Sequence, residues 1–172
     1  YQVRSYSGIY SKAFQVFANL TNQYRISSYS LPEPANASGS LTVGAVSSSN
    51  WTNGGSVELF SSRGPTWDGR SKPDLVGVNS VTNFTYSNFS STAAAAAAVG
   101  GVAALTWAEY PTYTLAELRA HLLLYASNAG LTGTAYDIGA GRGLARVPPA
   151  PAAALNAAPR SVTWCTNPLI ID

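Results

Sequence analysis

The chain has 172 residues, 46% of them hydrophobic, enough apolar surface for one domain with a real core. Charged residues make up only 10%, against about 25% in ordinary soluble domains. The net charge of +2 comes without a Lys/Arg run, so there is no electrostatic footprint for nucleic acid or an anionic membrane.

Ser, Thr, Asn, Tyr and Gly replace the missing charge, a composition that points to an extracellular or cell-surface protein. Cys165 is the only cysteine, so no disulfide closes within the chain and no Cys-based metal site forms; neither a metal nor a cofactor is expected. No run approaches the ~20 apolar residues of a membrane span, and the first residues lack a signal-peptide pattern, so the chain reads as mature or truncated at its start. Five glycosylation sequons, at Asn19, Asn36, Asn50, Asn83 and Asn88, agree with secretion.

In chain order, Tyr1-Gln2-Val3-Arg4 and Ala13-Phe14-Gln15-Val16-Phe17-Ala18 alternate with the period of half-buried strands. Pro32, Pro34 and Gly39 mark an irregular connection into Leu41-Thr42-Val43-Gly44-Ala45-Val46, a short apolar run suited to a buried parallel strand. Residues 47–55 carry loop chemistry, and Val57-Glu58-Leu59-Phe60 is a further strand candidate, closed by Gly64-Pro65 and Asp68-Gly69. Leu75-Val76-Gly77-Val78 follows Lys72-Pro73-Asp74 as another buried strand.

Residues 92–107 are almost wholly apolar and Ala-rich, which predicts a helix with Thr92 as its N-cap. A helix apolar on every face is expected in the middle of a domain. Gly100-Gly101 within it make sense where another backbone packs closely. Thr114-Leu115-Ala116-Glu117 is a capping box that opens a second, amphipathic helix. Its apolar stripe is Leu115, Leu118, Leu122 and Tyr125, and it ends near Asn128-Ala129-Gly130. Gly139, Gly141 and Gly143 form a tight return before Leu144. Residues 148–159 read as a Pro/Ala-rich linker, and Val162-Thr163-Trp164-Cys165 and Pro168-Leu169-Ile170-Ile171 as strands of something further.

Four segments in register resemble subtilisin-like serine proteases: Leu41 to Val46, Phe60-Ser61-Ser62-Arg63-Gly64-Pro65, Lys72-Pro73-Asp74-Leu75-Val76, and Ser91-Thr92-Ala93 leading into Val99-Gly100-Gly101-Val102. The later helix and Gly139-Ala140-Gly141-Arg142-Gly143-Leu144 also resemble the family's closing elements. The resemblance implies an α/β fold, the C-terminal half of a three-layer parallel-sheet domain, over residues 31–147. The opening strands resemble the end of a β-sandwich insertion carried by some secreted members, over residues 1–30, and residues 148–172 hold the linker and the start of a further segment.

The departures decide the chemistry. The family pattern has Gly-Thr-Ser where this chain has Ser91-Thr92-Ala93, so Ala93 occupies the nucleophile position. The family's Asp, its His and its oxyanion Asn are not recognisable here, and the resemblance places them upstream of residue 1. His121, the only histidine, sits four residues after Glu117, where an exposed ion pair is the simplest reading. Asp74 is expected to serve structure, and Ala94 to Ala98 to serve close packing.

Two functional classes follow. One is part of a secreted subtilisin-like endopeptidase, inactive as written, whose partners are the N-terminal remainder of the same precursor and a polypeptide substrate. The other is a natural pseudoprotease, an extracellular glycosylated structural or binding protein. An unrelated α/β domain with accidental motifs is the third alternative.

Overall fold

The computed structural model describes residues 8, 26–53, 56–126 and 137–147, with the backbone alone for 51–53. The strands expected over 1–4 and 13–18, the linker and the strands beyond it, Asn19 and Cys165 lie outside the described residues.

Two short apolar runs bounded by turn formers become strands. Strand β1, Val43–Ser47, and strand β2, Leu75–Asn79, pair in parallel, with Val43 opposite Leu75 and Ser47 opposite Asn79. Between them the stretch expected as loop holds one short helix, α1, Ser48–Asn53. On its other side β2 meets the Gly-rich return. The Val76 N–H donates to the Gly143 carbonyl and the Ala145 N–H to the Val76 carbonyl, both at 2.9 Å, forming a parallel bridge between Val76 and Leu144. With neighbours on both edges, β2 buries nearly every residue. Gly141 permits this return: its φ is +59°, and a Cβ there would strike the Asp74 backbone carbonyl.

The expected strand at 57–60 is reduced to one antiparallel bridge between Val57 and Val46. The Ser61 N–H turns back to the Glu58 carbonyl, and Leu59 and Phe60 point outward, because Ala45 needs only two partners on that edge, the Glu58 N–H and the Ser61 hydroxyl.

Strand alternation sorts the core onto two faces. Val46, Val57, Val76, Ala140 and Leu144 pack together on one. On the other, Leu75 meets Val99, Leu118, Leu122 and Ala145, contributed by helix α2, Thr92–Glu109, helix α3, Leu115–Tyr125, and the return. Burying each of these larger side chains is worth about 1.5–3 kcal/mol.

Helix α2 departs from expectation in three ways. Its N-cap is Ser91, not Thr92: Ser91 has extended backbone angles and its hydroxyl accepts from the Ala94 N–H at 3.1 Å, leaving Thr92 as the first helical residue. Among the described residues the helix is covered on one side only, with Ala94, Ala95, Val99 and Thr106 buried and Leu105 60% exposed. The described sheet is too narrow to cover more of it. Nothing lies within 4 Å of the Cβ positions of Gly100 and Gly101; the close approach comes from the strand instead, where a Cβ on Gly77 would fall on the Ala95 carbonyl oxygen. By length and composition α2 could also cross a membrane, a test that core helices pass as well, and here it packs on the sheet.

Helix α3 opens on the expected capping box. The Glu117 N–H donates to the Thr114 hydroxyl at 3.3 Å and the Thr114 N–H donates to the Glu117 carboxylate at 2.8 Å. The helix stops at Tyr125, before the expected Asn128-Ala129-Gly130, with Ala126 as its C-cap. Of the anticipated stripe, Leu118 and Leu122 are buried while Leu115 and Tyr125 remain exposed.

Candidate functional site

Strand β2 delivers the chain to the candidate site. Its last residue, Asn79, is fully buried, a lone amide at the end of an apolar run. Its Oδ1 accepts the Ser91 N–H at 2.6 Å, while its Nδ2 donates to the Glu58 carboxylate at 3.1 Å and to the Ser80 hydroxyl at 3.2 Å. Ser80, at a left-handed φ of 59°, donates onward to the Ser90 hydroxyl at 3.4 Å. One buried side chain thus ties the strand end to the loop that starts α2.

Ser91, Thr92 and Ala93 follow in order at that helix start, with Ala93 exposed on the first turn. The helix dipole puts a partial positive charge here, which would favour an oxyanion beside residue 93. Ala93 presents only a methyl group there, so residue 93 offers no oxygen nucleophile.

The structure does not bring the other tempting residues to it. His121 packs among Tyr110, Tyr113 and Tyr125, with ring centroids 5.0, 5.5 and 4.6 Å away, and its Nδ1 lies 3.1 Å from the Tyr113 hydroxyl. Tyr110 caps the far end of α2, about 25 Å of helix from residue 93. The ion pair expected between His121 and Glu117 is absent, because both Thr114 contacts hold the Glu117 carboxylate toward the helix start. Those same hydrogen bonds keep the Glu117 carboxyl below its ordinary range.

Asp74 stands at the other end of β2, about 16 Å along the strand from the loop. It accepts from Lys72 and Arg119, each at 2.6 Å, and from the Thr42 N–H at 2.6 Å. Lys72 and Arg119 also donate to the Ser40 carbonyl, at 2.6 and 3.0 Å. This cluster locks the entry of both strands to α3, so Asp74 serves the scaffold as expected.

The sequons divide by environment. Asn83 and Asn88 are exposed on the loop closed by the Val81–Phe89 bridge, and the Asn83 Oδ1 accepts from the Thr85 and Tyr86 N–H groups at 2.9 and 2.7 Å. Asn36 and Asn50 are half-buried, and the Asn50 amide donates to the Ser56 carbonyl at 3.1 Å. Among the described residues no cluster of His, Cys, Asp and Glu could hold a metal ion.

Asn79, Glu58 and Ser80 were not singled out by sequence reasoning. A polar residue closing an otherwise apolar strand is the one signal that marks Asn79.

The family model for the subtilase family matches residues 7–141. Among solved structures, the CspB protease of Clostridium perfringens matches with a TM-score of 0.58 at 26% identity, over 70% of this chain and 28% of that one. The chain therefore spans just over a quarter of that structure's length. No curated protein sequence matches it.

Proposed function

The chain belongs to the subtilase family, and from that premise we propose that it is part of a subtilisin-like serine endopeptidase domain that does not cleave peptides as written. The observation that carries this reading is Ala93 on the first turn of α2, at the place where Ser91-Thr92 lead the family's loop to its nucleophile. Loss of the nucleophile in subtilisin itself costs on the order of 10⁶ in kcat. A second deficit compounds it, because Asp74 and His121 are held by other partners.

The reading calls for a remainder of the same precursor that supplies the Asp, His and oxyanion Asn, and for a polypeptide substrate. It also places the protein outside the cell, a location supported by the exposed sequons at Asn83 and Asn88 and by the low charge. A mobility shift on glycosidase treatment of the natural protein checks that placement.

The chemical test uses a fluorophosphonate, which modifies only an activated serine. Neither this chain nor its Ala93→Ser variant should be labelled, because a restored hydroxyl still lacks a base. Labelling of Ala93→Ser in this chain alone would sink the proposal.

One observation favours the pseudoprotease reading. Ser91, which stands in place of the family's Gly, caps the helix with its own hydroxyl, which accepts the Ala94 N–H. A replacement whose side chain has taken on a structural hydrogen bond fits long-standing loss of catalysis better than a single change at Ala93. The encoded precursor separates the two: Ser at position 93 with an upstream Asp, His and Asn identifies the enzyme, and their absence identifies the scaffold.

A further inference from the structure

At the end of the sheet opposite Ala93, the segments that enter β1 and β2 flank an open, shallow cleft of about 480 Å³, lined among others by Glu33, Asn36, Ser38, Trp67, Asp68 and Arg70. Its volume lies within the ~300–1,000 Å³ usual for small-molecule sites. The Trp67 indole is 59% exposed, and it stacks on Tyr29 with centroids 5.1 Å apart and planes 21° apart.

This platform is held in place from both sides. The turn carrying Trp67 is closed by the Thr66 N–H to Arg70 carbonyl bond at 3.0 Å and the Gly69 N–H to Thr66 carbonyl bond at 2.9 Å. Arg70 pairs with Asp68 at 2.7 Å, and Thr66 donates to the other Asp68 oxygen. Behind the indole, Tyr29 has a φ of 58°, an outlier for a bulky side chain. Backbone bonds from Tyr29 to Gly64 and from Ser30 to Arg63, at 3.2 and 2.9 Å, keep it there. Strain retained under an exposed aromatic is a reason to look for a ligand.

The lining fixes the chemistry. The Trp67 indole, 59% exposed, suits a flat array of C–H groups, and Glu33, Asp68, Asn36, Ser38 and Arg70 beside it in the lining are residue types that supply donors and acceptors. Arg70 is already paired with Asp68, so Glu33 leaves the cleft acidic and unsuited to an anion. We propose that this cleft binds a neutral pyranose, one ring face stacked on Trp67 and its hydroxyls bonded to the polar rim. Asn36 lies in a sequon, so the sugar has two sources, a free oligosaccharide or the first residues of a glycan carried on Asn36 itself. The site is remote from Ala93 and independent of the endopeptidase reading.

The test titrates the unglycosylated full chain with chitotriose, cellotriose and mannotriose, following tryptophan fluorescence and calorimetric heat. At least one trisaccharide should bind, and Trp67→Ala should weaken it by about tenfold or more. Trp107→Ala, which removes an exposed indole on α2, should leave binding unchanged, and circular dichroism confirms that both variants fold. If the natural occupant is the chain's own glycan, protein secreted with Asn36 glycosylated will refuse the free sugar that the unglycosylated chain accepts. Absence of trisaccharide binding to the unglycosylated chain overturns the proposal. So does binding that survives Trp67→Ala, or preference for a proline-rich peptide over every sugar.

Discussion

The two ends of β2 are built by the same means and have different fates. At the entry end, Asp74 gathers Lys72, Arg119 and the Thr42 N–H into a buried ionic cluster. At the exit end, the buried Asn79 gathers the half-buried Ser91, Ser80 and Glu58 into a polar one. Both are fully partnered side chains that pin neighbouring elements to the strand. The entry cluster holds only the scaffold, whereas the exit cluster positions the loop that carries Ala93 on the first turn of α2. The lesson is that positioning and reactivity are separable: on the reading proposed above, the frame for a nucleophile persists without the nucleophile.

The sharpest way to break this comparison is Asp74→Ala, which removes the buried carboxylate shared by Lys72, Arg119 and the Thr42 N–H and should cost about 3–5 kcal/mol. An unfolding free energy from denaturant titration lowered by less than about 1 kcal/mol would mean that the entry cluster is not what holds the strands. Gly77→Ala should come next, at about 1–3 kcal/mol, since the added methyl meets backbone and α2 must move. Its unfolding curve should shift without a change in slope.

At the exit end, Asn79→Ala orphans the Ser91 N–H and should cost about 1–3 kcal/mol. Amide hydrogen exchange sharpens that result, because Ala94 and Ala95 should lose protection ahead of α3. Equal loss in both helices would make Asn79 a general core residue.

The smallest effect is at Asp68, whose carboxyl is lowered from 3.8 to about 2 by the Arg70 and Thr66 hydrogen bonds. A depressed folded value means a stabilising contribution present above about 4 and lost as pH falls through about 2. NMR titration of the Asp68 carboxyl should show that low midpoint, and Arg70→Ala should raise it toward the ordinary value.

Parts of this were readable from particular residues. The Thr114–Glu117 capping box, the turn chemistry at Asp68-Gly69 and the two apolar strand runs depend on neighbours within a few positions, and the structure has all of them. The readings that failed needed partners far along the chain. Thr92 and Ser91 are both good caps by type, and the Asn79 bond to the Ser91 backbone is what favours Ser91. His121 was matched to Glu117 by helical spacing, but Tyr110 and Tyr113, outside that helix, claim the ring.

The sequence by itself determined the family, the two paired strands and the two longer helices in their order, and the methyl group at position 93, because motifs, periodicity and residue identity are local properties of the chain. Only the tertiary structure decided which glycine admits the neighbouring backbone, which amide holds the loop, and that Asp74 and His121 are committed elsewhere. Those facts arise where segments dozens of residues apart compete for the same buried hydrogen bonds, and no local pattern records the winner.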